Sequence, residues 1–480
     1  MPINSFLYPG IKFIAPYTIA NSCRFNDGDS PQHSKSVGSS ATTKYTLSLW
    51  VKRGIMGSYQ RFFTSTGGSG LGDTYFRFDD NDKIEISGHG SNAAGGGYVI
   101  TNRVFQDPGA WMHIVVRYDS TQGTANDRFR LYINGVDERN HGGYSTDTMP
   151  NQNVADNITA NGNTLRIGAT ASAQYFDGYI AEVHFSEGQS YAPTEFGEYN
   201  SDSPTIWQPK QASISYGTSG FYLDFEDSAN LGNDKNGGTD LSETNIAAAD
   251  QATDTPTNNF CTMNPLDNYY TVNSFAEGNC QVITASSGYT GAQATMGVAA
   301  GKWYFEFSPV SKTGDNDEYT VGVVGQAFTG TGQTTWHPAT GYGYVGQNGG
   351  TYNNDAVDTS GYGDTYTAGD IIGVALDVDN SKIYWSKGGT WQNSGDPTTG
   401  ATGTGAESIT AVASTPAKFY LPSCAFAANS ASATMSLNFG GCPAFAISSG
   451  NADANGYGNF EYAPPTGYYA LCSKNLGEFG

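Results

Sequence analysis

A chain of 480 residues is long enough for two or three domains of roughly 100–200 residues, each able to bury its own core. Its formal charge of −22 comes from 45 acidic against 23 basic residues, and no run of Lys or Arg exceeds two, so a phosphate backbone would be repelled and no nucleic acid is expected as a partner. Only 14% of residues are charged while 62 are Gly and 31 are Tyr, the profile of turn-dense sheet proteins, and the expected fold class is all-β.

The opening segment, residues 1–19, begins MPINSFLYPGIKF and has no charged stretch leading into a continuous apolar one. No later window of about 20 apolar residues occurs, so neither a signal peptide nor a membrane span is expected. A protein of this kind acting outside a cell would be released by lysis of the cell that made it. Cys23, Cys261, Cys280, Cys424, Cys442 and Cys472 show no CxxC and no Cys/His cluster at zinc spacing. They read as small core residues, and Cys424 with Cys442, or Cys261 with Cys280, could pair only if the fold brings them close.

The first unit, residues 20–197, alternates with period two. YTLSLWVKRG puts Tyr45, Leu47, Leu49 and Val51 on one face and Thr46, Ser48 and Trp50 on the other. WMHIVVRYD and RFRLYINGVDE follow, the latter turning at Asn134-Gly135, which tolerates the positive φ of a two-residue type I′ hairpin. With GAWMHIVVRYDS, FRLYINGV, LRIGA and YFDGYIAEVHFSEG in this order, the segment resembles the laminin-G-like, concanavalin A-like jelly-roll domains. The resemblance implies a two-sheet sandwich, often sugar-binding and sometimes calcium-dependent, with Asp177 of FDG as one calcium ligand. Calcium takes six or more oxygens and no second clustered carboxylate is visible, so no cofactor is assigned beyond that implication.

Sugar-cleaving relatives of this fold carry acids at alternate positions of one strand, E-x-D-x-E or the bulged E-x-D-x-x-E, so that two carboxylates flank one glycosidic bond. The best-aligned strand here offers Glu182, His184 and Ser186, with Glu187 on the opposite face unless a bulge intervenes. Asp79, Asp80 and Asp82 read as a hairpin turn before KIEISG. His184 is expected to be a partly exposed strand residue and Glu182 to face solvent or pair locally, and no catalytic residue is assigned.

Residues 198–261 turn to Asn/Asp/Gly/Thr-rich sequence with one convincing strand, GFYLDFED, and read as a polar connector. Its apolar anchors Trp207, Phe221, Tyr222 and Phe225 point to packing on a neighbouring domain or another subunit. The succession GFYLDFED, LG, DTPTNNF before a second sandwich resembles large structural proteins of tailed bacteriophages, particularly those of marine bacteria.

The second unit, residues 262–475, opens with GKWYFEFSPV, which places Trp303, Phe305 and Phe307 on one face. With EYTVGVVG, the hairpin GDIIGVALDVDNSKIYWSKGG turning at Asp379-Asn380, KFYLPSCAFA and SATMSLNFGG, it resembles a SPRY domain. Glycine-rich insertions at 328–350 and 395–408 depart from intracellular members, so their partner-binding residues do not transfer. The resemblance implies recognition without catalysis through loops at one end of a sandwich. Trp336, His337, Tyr342, Tyr344, Tyr352, Tyr362 and Tyr366 stand among Gly and Asn there, and rings with neighbouring amides suit a glycan or a protein epitope. Tyr342 and Tyr344 read equally well as strand residues filling a core. Trp336, His337, Tyr352 and Tyr362 are the expected ligand-binding residues, Trp336 and Tyr352 foremost. Residues 476–480 read as a tail that docks elsewhere.

No P-loop, dinucleotide fingerprint, nucleophile elbow or HExxH motif occurs, and no enzyme is expected. The expectation is two antiparallel jelly-roll-type β-sandwich domains in a phage virion structural protein, a tail appendage or capsid fibre. Its expected partners are other virion proteins and host cell-surface glycan or protein. Homo-oligomerisation is implied by the fibre resemblance alone, for no heptad or β-helix repeat enforces it. The alternatives are a secreted bacterial carbohydrate-binding adhesin and a glycoside-processing enzyme.

Overall fold

The computed structural model describes residues 17–67, 73–88, 96–267, 273–284, 288–314, 318–328, 334–428 and 431–480, so most of the opening segment lies outside it. Helix makes up 9% of the chain, and the fold is all-β. Two compact units emerge, residues 14–257 and residues 258–480.

The first unit stacks two antiparallel sheets, each of eight strands among the described residues. Lys44–Arg53 and Gly178–Glu187 form the centre of one sheet. Gln60–Gly67, Thr74–Phe78 and Ile84–Ser87 form the centre of the other. The alternation in Lys44–Arg53 sets the layers: Tyr45, Leu47, Leu49 and Val51 enter the core between the sheets, while Trp50 packs on the outer face with Ile19 and Ala181. At the hairpin from Phe129–Ile133 to Val136–Asp137, Asn134 and Gly135 have φ of 49° and 77°, as a type I′ turn requires. Asp79 closes the next turn, its Oδ1 accepting from the amides of Asn81 and Lys83.

The expected connector is no connector. Phe221–Leu223 pairs with Val183, His184 and Phe185, Ser242–Thr244 pairs with the strand Gln32–Ser36, and Gln251–Ala252 pairs with Ser22 and Cys23. Phe221, Leu223 and Phe225 complete the first core, and Trp207 stacks on His113 with ring centroids 6.0 Å apart. The anchors expected to reach another domain or subunit therefore pack on their own sandwich, and the boundary falls at 257/258 rather than at 261/262. Strands of two or three residues are too short to show an alternation, which is why sequence pattern missed them.

The second unit repeats the architecture with sheets of nine and six strands among the described residues. Trp303, Phe305 and Phe307 enter the core, and Tyr304 lies on the opposite face of the same strand against Phe460. In the hairpin joining Ile372–Asp377 to Lys382–Lys387, Trp385 is fully buried and its Nε1 donates to the Val321 carbonyl at 3.0 Å. The C-terminal residues do not run off. Tyr469–Ala470 adds a parallel pairing beside Trp303, and the helix Ser473–Phe479 returns Leu476 and Phe479 to the core, with Phe479 stacked on Tyr469 at 3.8 Å. The six cysteines are buried. Among the described residues no helix is long and apolar enough to cross a membrane.

Candidate functional site

In the first sandwich the strand Gly178–Glu187 carries the bulge on which the sugar-cleaving reading depended. Ala181 pairs with Trp50 and His184 with Ser48, so Glu182 and Val183 together oppose Leu49. Val183 turns into the core and Glu182, at φ 51°, turns outward. The bulge precedes Val183, however, and from there the alternation is regular, with Val183 and Phe185 in the core. Glu187 therefore falls in the inward phase, where its carboxylate accepts from Ser39 Oγ and the Ser219 amide. The two carboxylates face opposite sides.

Glu182 does not face solvent, being 5% exposed, and His184 is buried rather than partly exposed. The Tyr17 and Tyr222 hydroxyls both donate to the Glu182 carboxylate, Tyr222 at 3.0 Å. Burial beside that carboxylate pushes Tyr17 up to about 12, so it remains a donor. His184 Nδ1 meets the Tyr216 hydroxyl at 2.8 Å, and its ring stacks on Tyr222 at 4.2 Å. Residues around 212–222 cover what would otherwise be an open sheet face, and alternation alone cannot report such a cover. Glu182→Ala is expected to cost about 1–3 kcal/mol, because two half-buried hydroxyls lose their shared carboxylate acceptor. A shift of the urea midpoint equivalent to less than about 0.5 kcal/mol would count against this network.

Asp177 is fully buried at the start of the same strand. Among the described residues no group of three or more His, Cys, Asp or Glu could hold a metal ion.

In the second sandwich three of the four expected residues converge. Trp336 sits in a turn before the strand Gly341–Val345, and Tyr352 lies in Thr351–Asn353, a short strand rather than the loop expected for it. Their rings are 5.4 Å apart, and Trp336 stacks on His337 at 5.8 Å. A Cβ on Gly343 would lie 2.5 Å from Thr320 Cγ2 and 3.6 Å from the Trp336 ring, so this glycine leaves the floor on which the indole rests. Tyr289, 40% exposed and 48 residues upstream of His337, completes the cluster with its ring 5.4 Å from the imidazole. No local signal marks Tyr289; only the sheet pairing brings its strand near.

Polar groups hold two of the rings, His337 and Tyr352, in place. His337 Nδ1 accepts from the Thr334 amide at 2.9 Å, which leaves Nε2 as the protonated nitrogen, 3.5 Å from Asp355 Oδ1. Burial lowers His337 below the ordinary histidine range against the opposing pull of Asp355, so the ring is neutral at pH 7. Asn348 Nδ2 donates to the Tyr352 hydroxyl at 2.6 Å. Val357, 51% exposed, pairs across from Tyr352 and extends the apolar strip. The arrangement is a partly exposed aromatic platform rimmed by an amide and a carboxylate. Of the expected insertion at 328–350, residues 329–333 lie outside the described residues.

Tyr362, the fourth expected residue, does not belong to the platform. It is 2% exposed, packs edge-on against Trp385 at 5.5 Å, and donates its hydroxyl to the Gly405 carbonyl. A glycine-rich sequence window suggested a loop tip, whereas the hairpin carrying Trp385 closes over this side chain.

Residues 26–189 match the family model of the concanavalin A-like lectin/glucanases superfamily, and residues 302–419 match that of the SPRY domain. The platform residues Trp336, His337 and Tyr352 fall inside the second match. Fold and sequence together define a protein that carries these two sandwich domains in tandem. No curated protein sequence matches the chain. Among solved structures, the SPRY domain of human HERC1 is 17% identical over 35% of this chain and 89% of that one, with a TM-score of 0.27. A SAP-like pentraxin from Limulus polyphemus is 13% identical over 36% of this chain and 80% of that one, with a TM-score of 0.28. A putative carbohydrate binding protein from Bacteroides ovatus is 14% identical over 48% of this chain and 60% of that one, with a TM-score of 0.32.

Proposed function

We propose that this chain is a non-catalytic carbohydrate-recognition protein, working as a structural component of a phage virion that docks on host surface glycan. The observation that carries the reading is the platform of Trp336, His337, Tyr352 and Tyr289, in which hydrogen bonds order His337 and Tyr352 while the rings are left partly open. Flat rings cover the apolar faces of a sugar, and Asn348 and Asp355 supply the polar rim that its hydroxyls need. The match of the first sandwich to a superfamily named for lectins and glucanases supports a saccharide ligand. The opposed directions of Glu182 and Glu187 support binding over cleavage. The virion setting, with other virion proteins as partners, rests on the phage-like succession at residues 220–260, and mass spectrometry of purified virions tests it directly.

Trp336→Ala is expected to lower affinity for the glycan selected on a microarray about tenfold or more, since truncating a central aromatic anchor costs over about 1.4 kcal/mol. The melting temperature should barely move, because Trp336 touches the platform rather than the core. Unfolding of the domain by this substitution, or unchanged affinity, would refute the platform as the site.

A further inference from the structure

The outward face of the second sheet of the first sandwich is a separate surface with a different chemistry. Phe76, Phe78, Ile84, Ile86, Leu165 and Ile167 fill the core, so their strand neighbours Tyr75, Arg77, Glu85, Ser87 and Arg166 point away from it. Pairing sets Arg61 beside Arg77 and Arg77 beside Glu85, and in the next row sets Arg166 beside Thr64 and Thr64 beside Tyr75.

Part of this face is electrically closed. Arg77 donates through Nε to Glu85 Oε2 at 2.8 Å, and the Tyr75 and Tyr98 hydroxyls donate to Glu85 Oε1 at 2.7 and 2.8 Å. The Arg77 guanidinium also lies over the Tyr59 and Tyr75 rings at 4.2 and 4.8 Å. Glu85 is thereby saturated, and it is not available to Arg61 or Arg166. Arg61 lies over Tyr75 at 4.5 Å, donates to Gln174 Oε1, and has Asp73 at 3.3 Å as its ion-pair partner. Arg166 bonds Thr66 Oγ1, and among the described residues no carboxylate stands within ion-pair distance of it. Burial pulls both guanidiniums below the ordinary arginine range despite Asp73, whereas the hydrogen bonds of Arg139 to Asp147 hold Arg139 above it. Between the two rows the Thr64 hydroxyl is fully buried with no hydrogen-bond partner among the described residues.

We propose that this face, with Arg61 and Arg166 as its anion contacts and the Tyr59 and Tyr75 rings beside them, is a second binding site, for a polysaccharide of hexuronic acids. Arg61, 8% exposed beside a half-exposed carboxylate, and Arg166, with none within ion-pair distance among the described residues, gain from a further anion, and a sugar carboxylate is planar and matches a guanidinium fork in two parallel bonds. Tyr59, 40% exposed, offers a ring face to the pyranose. The net charge of −22 repels a polyanion at long range, but at physiological salt, where the screening length is about 8 Å, the contact is decided by the guanidiniums on this face.

The test is isothermal titration of the full chain with polygalacturonate, with dextran and dextran sulfate as the neutral and sulfated arms. Polygalacturonate is expected to bind, dextran not, and dextran sulfate more weakly. Arg166→Gln should reduce polygalacturonate affinity tenfold or more at unchanged melting temperature, and Arg61→Lys, which keeps the charge but not the fork, should reduce it severalfold. Trp336→Ala should leave it untouched, which separates this site from the platform. Absence of polygalacturonate binding, equal or stronger binding of dextran sulfate, or full affinity in Arg166→Gln overturns the proposal. Should Arg61→Lys fail to fold, Arg166→Gln decides alone.

Discussion

Asp254→Ala is expected to destabilise the first sandwich by about 3–5 kcal/mol, the cost of removing one member of a buried ion pair. Asp254 Oδ2 lies 2.7 Å from Lys52 Nζ with both side chains 1% exposed, and Trp111 Nε1 donates to Oδ1 at 2.9 Å. The Ser22 hydroxyl donates to the Asp254 carbonyl, which ties the last turns of the unit to the strand Ser22–Phe25. Removing the carboxylate would take the 2.7 Å acceptor from the Lys52 ammonium and the acceptor of the Trp111 indole N–H together. Urea unfolding followed by circular dichroism should show the loss, and hydrogen exchange should show Ser22–Phe25 opening early. Replacing both partners by apolar residues of similar volume, Lys52→Met with Asp254→Leu, should recover most of it. A loss below about 1 kcal/mol in the single variant would mean that residues 250–257 are not an integral part of the sandwich.

The first sandwich should also lose stability steeply between pH 6.5 and pH 3. Burial lowers His33 and His113 to about 3, and for His113 the nearby His184 adds to the effect. His33 is enclosed by the Phe25 and Phe225 rings, each 5.7 Å away. His113 accepts from Trp207 Nε1 at its Nδ1 and contacts Ser48 Oγ at 2.8 Å through Nε2. Both rings are neutral in the folded chain throughout this window, while in the unfolded chain they take up protons from about pH 6.5 downward. The unfolded state then binds more protons, so stability is fully present above 6.5 and falls with pH by up to about 1.4 kcal/mol per unit for each histidine. Urea midpoints measured from pH 7 to pH 4 should trace this slope, and His33→Leu should flatten it. An unchanged slope in that variant would mean that His33 is protonated within the fold.

Much of the architecture could be read before any coordinates. The alternation from Tyr45 to Val51 is enough to assign both faces, and Asn134-Gly135 announces its own turn because few other pairs accept two positive φ values. The SPRY-like hairpin was equally legible, since its buried strand, turn and Trp385 are contiguous in sequence. The platform was legible in part. Trp336 and His337 are adjacent and Tyr352 is near in the chain, whereas Tyr289 arrives through strands that sequence does not order.

The sequence by itself determined the all-β class, the two tandem sandwiches, the inward faces of the long strands and the concentration of aromatic side chains near residues 336–352, because these depend on periodicity and short-range spacing. Tertiary structure alone decided that residues 198–257 complete the first sandwich and that Glu182 and His184 lie under a cover. It likewise decided that Tyr362 is core while Trp336 remains partly open, and that Arg61 and Arg166 share one face, Arg61 beside Asp73. Each of these is a question of what lies over the second face of a strand. A period of two says which residues share a face, but which segment covers that face depends on strand partners more than a hundred residues apart.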